Sequence, residues 1–174
     1  MRYSIEIHHS TILANTMIRN ATIYDRSAIS AIIQAIGFEP SETETVLASF
    51  DQAFSDPTSS IPIWIVDDDS GVHGVAYTEP ERMADRVHNL LLVAVHPDKQ
   101  GQGIGTKLVT QIEHAVSQAN GRLLLVETMA TKDFAHVRQL YERLGFNREA
   151  QIHDYYADGF DKVVYSKIPT TDGG

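Results

Sequence analysis

The sequence predicts a three-layer α/β (α+β) sandwich: a central mixed, mostly antiparallel sheet flanked by helices. Two observations carry that expectation. Residues 87–128 read as strand, glycine turn, helix and strand, a βαβ unit that calls for one parallel pair. Further alternating segments are broken by short turns, "DDDSG" at 67–71 and Asp158–Gly159, as antiparallel hairpins require.

Taken in order, residues 1–15 form an N-terminal extension without a clear pattern, although "IEIHH" fits a short strand. "MIRNATIYD", 17–25, reads as a strand. Asp25 and Ser27 then offer caps for a helix over about 26–36, closed by Gly37. "SETETVLASFDQAF" opens with the capping-box spacing Ser41 to Glu44, which starts a second helix. "IPIWIVDDDSGVHGVAYTE" gives a hairpin. "VHNLLLVAVH" is a nearly unbroken apolar run of strand length, the mark of a strand covered on both faces. Ile104, Leu108, Val109, Ile112 and Val116 form one helical stripe, Gly121 closes it, and "RLLLVET" is another buried strand. Phe134, Val137, Leu140, Tyr141 and Leu144 repeat the helical period, with Gly145 as cap. "FNREAQIHDYYADGFDKVVYSKI" is the final hairpin. One domain is expected over 16–170, with a flexible tail at 171–174.

Composition bounds the function. With 43% hydrophobic and 21% charged residues, the chain is an ordinary globular one. Its formal net charge of −9 argues against general nucleic-acid binding, which needs phosphate-neutralising Lys and Arg. No apolar run is long enough for a membrane span, and no signal peptide is expected. The absence of cysteine removes disulfides, thiolate ligands and a cysteine nucleophile, and fits a cytoplasmic protein. Eight scattered histidines, His8–His9 the only adjacent pair, show no metal-ligand spacing, so no metal is expected.

The chemistry is concentrated in "HPDKQGQGIG", 96–105. Gly101, Gly103 and Gly105 fall at every second position between a strand and a helix. The dinucleotide fingerprint needs G-x-G-x-x-G, and the triphosphate loop needs Gly-Lys-Ser/Thr; neither spacing is present. A glycine turn that opens a helix still presents free backbone N–H groups and the positive helix end, which suit a pyrophosphate.

"VAVHPDKQGQGIGTKLV" resembles the acetyl-CoA signature of the GCN5-related N-acetyltransferase (GNAT) family, whose Gln/Arg-x-x-Gly-x-Gly/Ala core is matched by Gln100, Gly103 and Gly105. "RQLYERLGF", 138–146, is similar to the family's second motif, and the order of elements from 17 to 168 also fits. The resemblance implies that acetyl-CoA is the cosubstrate. It implies that the backbone of Gln100, Gly101, Gln102, Gly103, Ile104 and Gly105, continuing to Thr106, holds the CoA pyrophosphate. Val93 and Val95 would pair with the pantetheine arm, and N–H groups on their strand would steady the thioester oxygen. The same resemblance makes the two strands at about 89–95 and 122–128 a parallel pair that splays to admit the cosubstrate. Tyr141 matches the tyrosine that protonates the departing thiolate.

An amine must attack a thioester carbonyl, and an alkyl ammonium with a pKa near ~10 must first lose a proton. Asn89 lies where relatives carry Glu or His as the base, and an amide cannot accept that proton. It can hold a water. Glu127, ending the neighbouring strand, is the leading carboxylate, and Glu79 is a second. Phe134 replaces an asparagine common in the family, so the CoA contact made there does not carry over. Tyr155 and Tyr156 are placed either at the acceptor mouth or in plain cross-strand packing. The expected reaction is acetyl transfer to a primary amine of a small molecule or peptide by direct attack in a ternary complex. A non-catalytic acyl-CoA-binding regulatory module is the alternative, and homodimerisation is left open.

Overall fold

The computed structural model describes residues 18–55 and 62–170; the N-terminal extension with His8–His9, and the tail at 171–174, lie outside the described residues. The described elements run β1 (Ile18–Asn20), α1 (Arg26–Ala35), α2 (Pro40–Ser55), β2 (Ile63–Asp68), β3 (Val72–Pro80), β4 (Val87–Val95), α3 (Ile104–Gln118), β5 (Leu123–Met129), α4 (Ala135–Arg143), β6 (Asn147–Ala157) and β7 (Phe160–Lys167). They form one seven-stranded sheet in the order β1-β2-β3-β4-β5-β7-β6. Every pairing is antiparallel except β4 with β5. The mixed, mostly antiparallel sheet is therefore the one the sequence predicts.

Helices cover both faces, and each covers its own core. α3 lays Leu108, Val109, Ile112 and Val116 on a cluster with Ile65, Ala76, Leu90, Leu124, Val126 and Tyr165. α1 and α2 bury Ile29, Ile32, Ile33, Leu47 and Phe50 against Trp64, Val66, Val75, Tyr77, Leu92 and Ala94. The all-apolar run of β4 follows from this double coverage, since its successive side chains serve opposite layers. α3 sits close to the sheet because residue 74 is glycine: a Cβ there would lie 2.8 Å from Ile104 Cγ2 and 2.9 Å from Leu108 Cδ1.

Four local expectations are corrected. The strand at 17–25 ends at Asn20, and Ile23–Asp25 is a 3-10 turn. Asp25 does not cap α1 with its side chain; its carboxylate accepts from the Thr22 N–H at 2.7 Å and from both terminal nitrogens of Arg19 at 2.8 Å. The second helix starts at Pro40, and Glu42 reaches back to the Glu39 N–H at 2.8 Å, so the capping spacing sits two residues before Ser41–Glu44. A proline in the first turn forfeits no helical hydrogen bond. At the end of α3 the left-handed residue is Asn120 (φ 60°), while Gly121 permits a close approach: a Cβ on it would meet Val116 O at 2.8 Å.

Candidate active site

The site begins where β4 and β5 part. Their parallel register runs from Val87–Leu123 to Leu90–Val126 and then stops, although both strands continue. At the same point β4 carries a bulge against β3: Tyr77 pairs with Leu92 and Thr78 with Leu90, leaving Leu91 extra. One extra residue reverses which face alternate side chains take. Before the bulge, Leu90 packs under α3; after it, Val93 and Val95 do, and Leu92 and Ala94 face α1.

On the α3 face the parted strands open into a cleft of about 500 Å³. Val93 and Val95 form one wall, and Val137, Leu140 and Tyr141 of α4 another. The glycine turn closes one end. Gly101 and Gly103 adopt φ of 76° and 80°, left-handed values that cost an L-residue roughly 1–2 kcal/mol. Gly105 is different: its backbone is ordinary and a Cβ would come no nearer than 3.8 Å to Leu140, so what glycine leaves there is open space between α3 and α4. The Gln100 side chain donates to the Val95 carbonyl at 3.1 Å and ties the turn to the strand end. The first backbone bond of α3 runs from the Lys107 N–H to the Gly103 carbonyl, and no side chain caps the helix. The N–H groups of Ile104, Gly105 and Thr106 thus precede the helical ladder and are available to an anion. Lys99 and Arg143 line the same cleft, with His136 beside them, and bring cationic groups to a protein of net negative charge.

Tyr141 is 5% exposed, packs against Phe146 and Tyr165, and lines the cleft. Burial raises its phenol well above its ordinary value, so the proton stays on oxygen. This is the state of a hydrogen-bond donor, not of a base.

The opposite face holds a recess beside the β3–β4 junction. Glu79, Glu81, Asn89 and Leu91 line it, and it continues toward Tyr77 and the α2 residues Ser49 and Gln52. Asn89 is 9% exposed; its Nδ2 donates to Glu81 Oε1 at 3.1 Å, and its Oδ1 is buried without a hydrogen-bond partner. The Tyr77 hydroxyl is bonded to Glu79. Glu127 accepts from Lys162 Nζ at 2.6 Å. Burial is the largest single influence on Lys162 and opposes its charge, but Glu127 and Tyr155 together outweigh it and raise its pKa. The ammonium also sits 3.6 Å over the Tyr155 ring, a cation–π contact.

Residues 59–148, more than half of the chain, match the acetyltransferase (GNAT) domain family. The chain belongs to the GNAT family. A curated relative, N-alpha-acetyltransferase 30 of Schizosaccharomyces pombe, is 30% identical over 80 residues, 46% of this chain and 52% of that protein. The match thus spans about half the length of that relative. A protein from Desulfovibrio desulfuricans, described as an acetyltransferase of the GNAT family, superposes with a TM-score of 0.83 at 26% identity, covering 89% of this chain and 99% of its own. A structure from Salmonella typhimurium solved with its cofactor acetyl-CoA has a TM-score of 0.74 at 20% identity, covering 92% and 97% of the two chains. At that identity the likeness is one of fold.

On this GNAT scaffold most of the predicted cosubstrate residues converge. Val93, Val95, Gln100, Gly101, Gly103, Ile104, Gly105, Thr106 and Tyr141 line one cleft. Gln102 does not; it lines a separate small pocket with Asp67, His73 and Lys107. Asn89 and Glu127 also lie outside the cleft lining, Asn89 across the sheet in the recess and Glu127 in its ion pair with Lys162. Phe134 precedes α4 at 38% exposure and is not a cleft residue. Tyr155 and Tyr156 are exposed and stack edge to face. Sequence reasoning missed Lys99, His136, Arg143 and Glu81. The first three had a usable signal, since Lys99 and Arg143 lie inside the matched motifs and His136 two residues before one.

Proposed function

We propose that this GNAT chain is an acetyl-CoA-dependent N-acetyltransferase that transfers the acetyl group to a primary amine of a small molecule or peptide by direct attack in a ternary complex. The observation that carries the reading is one strand serving two cavities. Leu91 of β4 lines the recess and Val93, two residues on, lines the cleft. The gap beyond Leu90–Val126 lies between them, so a thioester from one face and an amine from the other can meet there. The α3 N-terminus and Lys99 favour a pyrophosphate at the glycine turn.

In this reading the amine nitrogen, once neutral, attacks the thioester carbon. The C–S bond breaks with its electron pair on sulfur, and sulfur takes the Tyr141 hydroxyl proton. The nitrogen sheds its remaining extra proton to water, from which Tyr141 is reprotonated. Each turnover from an ammonium acceptor releases one net proton. The recess is acidic through Glu79 and Glu81, which favours a cationic acceptor. The N-alpha-acetyltransferase relative supports a peptide amine as the first class to test.

The test is CoA release over a panel of peptide and small-molecule amines. Amine-dependent thiol release is expected. The competing reading, a non-catalytic acyl-CoA-binding module, is favoured by Asn89 at the usual base position; it predicts CoA binding with no release beyond slow hydrolysis.

A further inference from the structure

We propose that Glu81 takes the acceptor's proton and that Asn89 positions it. The inference rests on the acetyltransferase reading above and assigns the base that reading leaves open.

Asn89 faces the recess from β4, two residues before the exposed Leu91, and an amide accepts no proton. Its Nδ2 instead holds Glu81 Oε1 at 3.1 Å, so a carboxylate reaches that place from the β3–β4 junction. Glu81 is fixed at its backbone as well, its N–H donating to the Val87 carbonyl at 2.8 Å. With one carboxylate oxygen on Asn89, the other remains for an incoming ammonium. Of the competing carboxylates, Glu127 is ion-paired with Lys162, and Glu79, in the same recess, is bonded to the Tyr77 hydroxyl and not to Asn89. Glu81 has no ion-pair partner among the described residues.

A second observation marks the place as a ligand site. Asn89 is more than nine-tenths buried in the recess, and its Oδ1 has no hydrogen-bond partner. Buried amide oxygens are rarely left so, and a donor entering at the recess floor would satisfy this one. Leu91, 51% exposed at the bulge, leads from the recess to the gap between β4 and β5. The proton step is simple: one N–H bond of the ammonium breaks, its electron pair stays on nitrogen, and the proton moves to the Glu81 carboxylate and then to solvent. The charged and titratable groups around Glu81 are Glu79, Arg82 and Tyr77; α2 presents Ser49, Gln52 and Ala53, which do not titrate.

The experiment exchanges the two groups. With an acceptor verified on the wild type, kcat/KM is measured against pH for Glu81→Gln, Asn89→Asp and the double variant. CoA titration checks that each folds and binds. Glu81→Gln should lose roughly 10²–10⁴ in kcat/KM near neutral pH, with the deficit narrowing as the amine itself deprotonates. The double variant restores a carboxylate–amide pair with roles reversed and should recover at least about tenfold over Glu81→Gln, a rescue a purely structural glutamate does not predict. Rates of Glu81→Gln within about twofold of an active wild type, or a pH-independent loss that the exchange does not repair, overturn this inference alone. A wild type that binds CoA yet releases no thiol with any amine overturns the acetyltransferase reading, and this inference with it.

Discussion

Gly103 offers the sharpest test of the glycine turn. Its φ of 80° lies in the left-handed region, and no atom stands within 4 Å of a Cβ placed on it. A substitution there meets no clash, so its cost has two separable parts. Alanine pays only the left-handed strain, about 1–2 kcal/mol. That cost appears as lost affinity if the free turn relaxes and as lost stability if it does not. Asparagine tolerates the conformation and should cost less. Glutamate adds charge: a carboxylate about 7 Å from a doubly charged pyrophosphate, at an effective dielectric of about 40–80, is repelled by roughly 1–2.5 kcal/mol. Together these give about 2–4.5 kcal/mol for Gly103→Glu, or roughly 30- to 2000-fold weaker CoA binding. Calorimetric titration of the three folded variants at two salt concentrations reads this out. The glutamate deficit should shrink with salt and the alanine deficit should not. Pantetheine, which lacks the pyrophosphate, should bind wild type and Gly103→Glu alike. A folded Gly103→Glu protein with undiminished CoA affinity would refute the placement of the pyrophosphate.

Further expectations concern the other site residues and the fold. Tyr141→Phe preserves the packing with Phe146 and Tyr165, and should leave CoA affinity unchanged while lowering turnover by roughly 10²–10⁴ when chemistry limits the rate; equal single-turnover rates return Tyr141 to a packing role. Glu127→Gln removes the charge paired with buried Lys162, so it should lower acceptor kcat/KM by a factor that does not change with pH; a loss confined to neutral pH would make Glu127 the base. Asp25 is held below its usual carboxylate range, first by Arg19 and then by Thr22, against the opposing effect of burial. Its stabilisation is therefore present above the unfolded value near ~3.9 and lost as pH falls through the lower folded value. Asp25→Asn should cost about 1–3 kcal/mol at neutral pH in denaturant titration and should flatten the stability profile below about pH 4.

What the sequence determined by itself was whatever a local period or a fixed spacing can carry. The stripe Ile104, Leu108, Val109, Ile112 and Val116 is fully recovered as the buried face of α3, because helical periodicity and burial are the same pattern. The glycine turn was legible because the left-handed values of Gly101 and Gly103 exclude most other residues at low cost. Caps were less secure: Asp25 looked like a helix cap, and Arg19, six residues away on a neighbouring strand, claimed its carboxylate. The face that Asn89 takes could not be read at all. Strict alternation puts residues 89, 93 and 95 on one side of the sheet. The extra residue Leu91 sends Asn89 to the recess and Val93 and Val95 to the cleft, and a bulge exists only relative to the strand it pairs with. The pairings of Asn89 with Glu81 and Glu127 with Lys162 belong to the same class, since β-strand register, not spacing along the chain, brings those groups together.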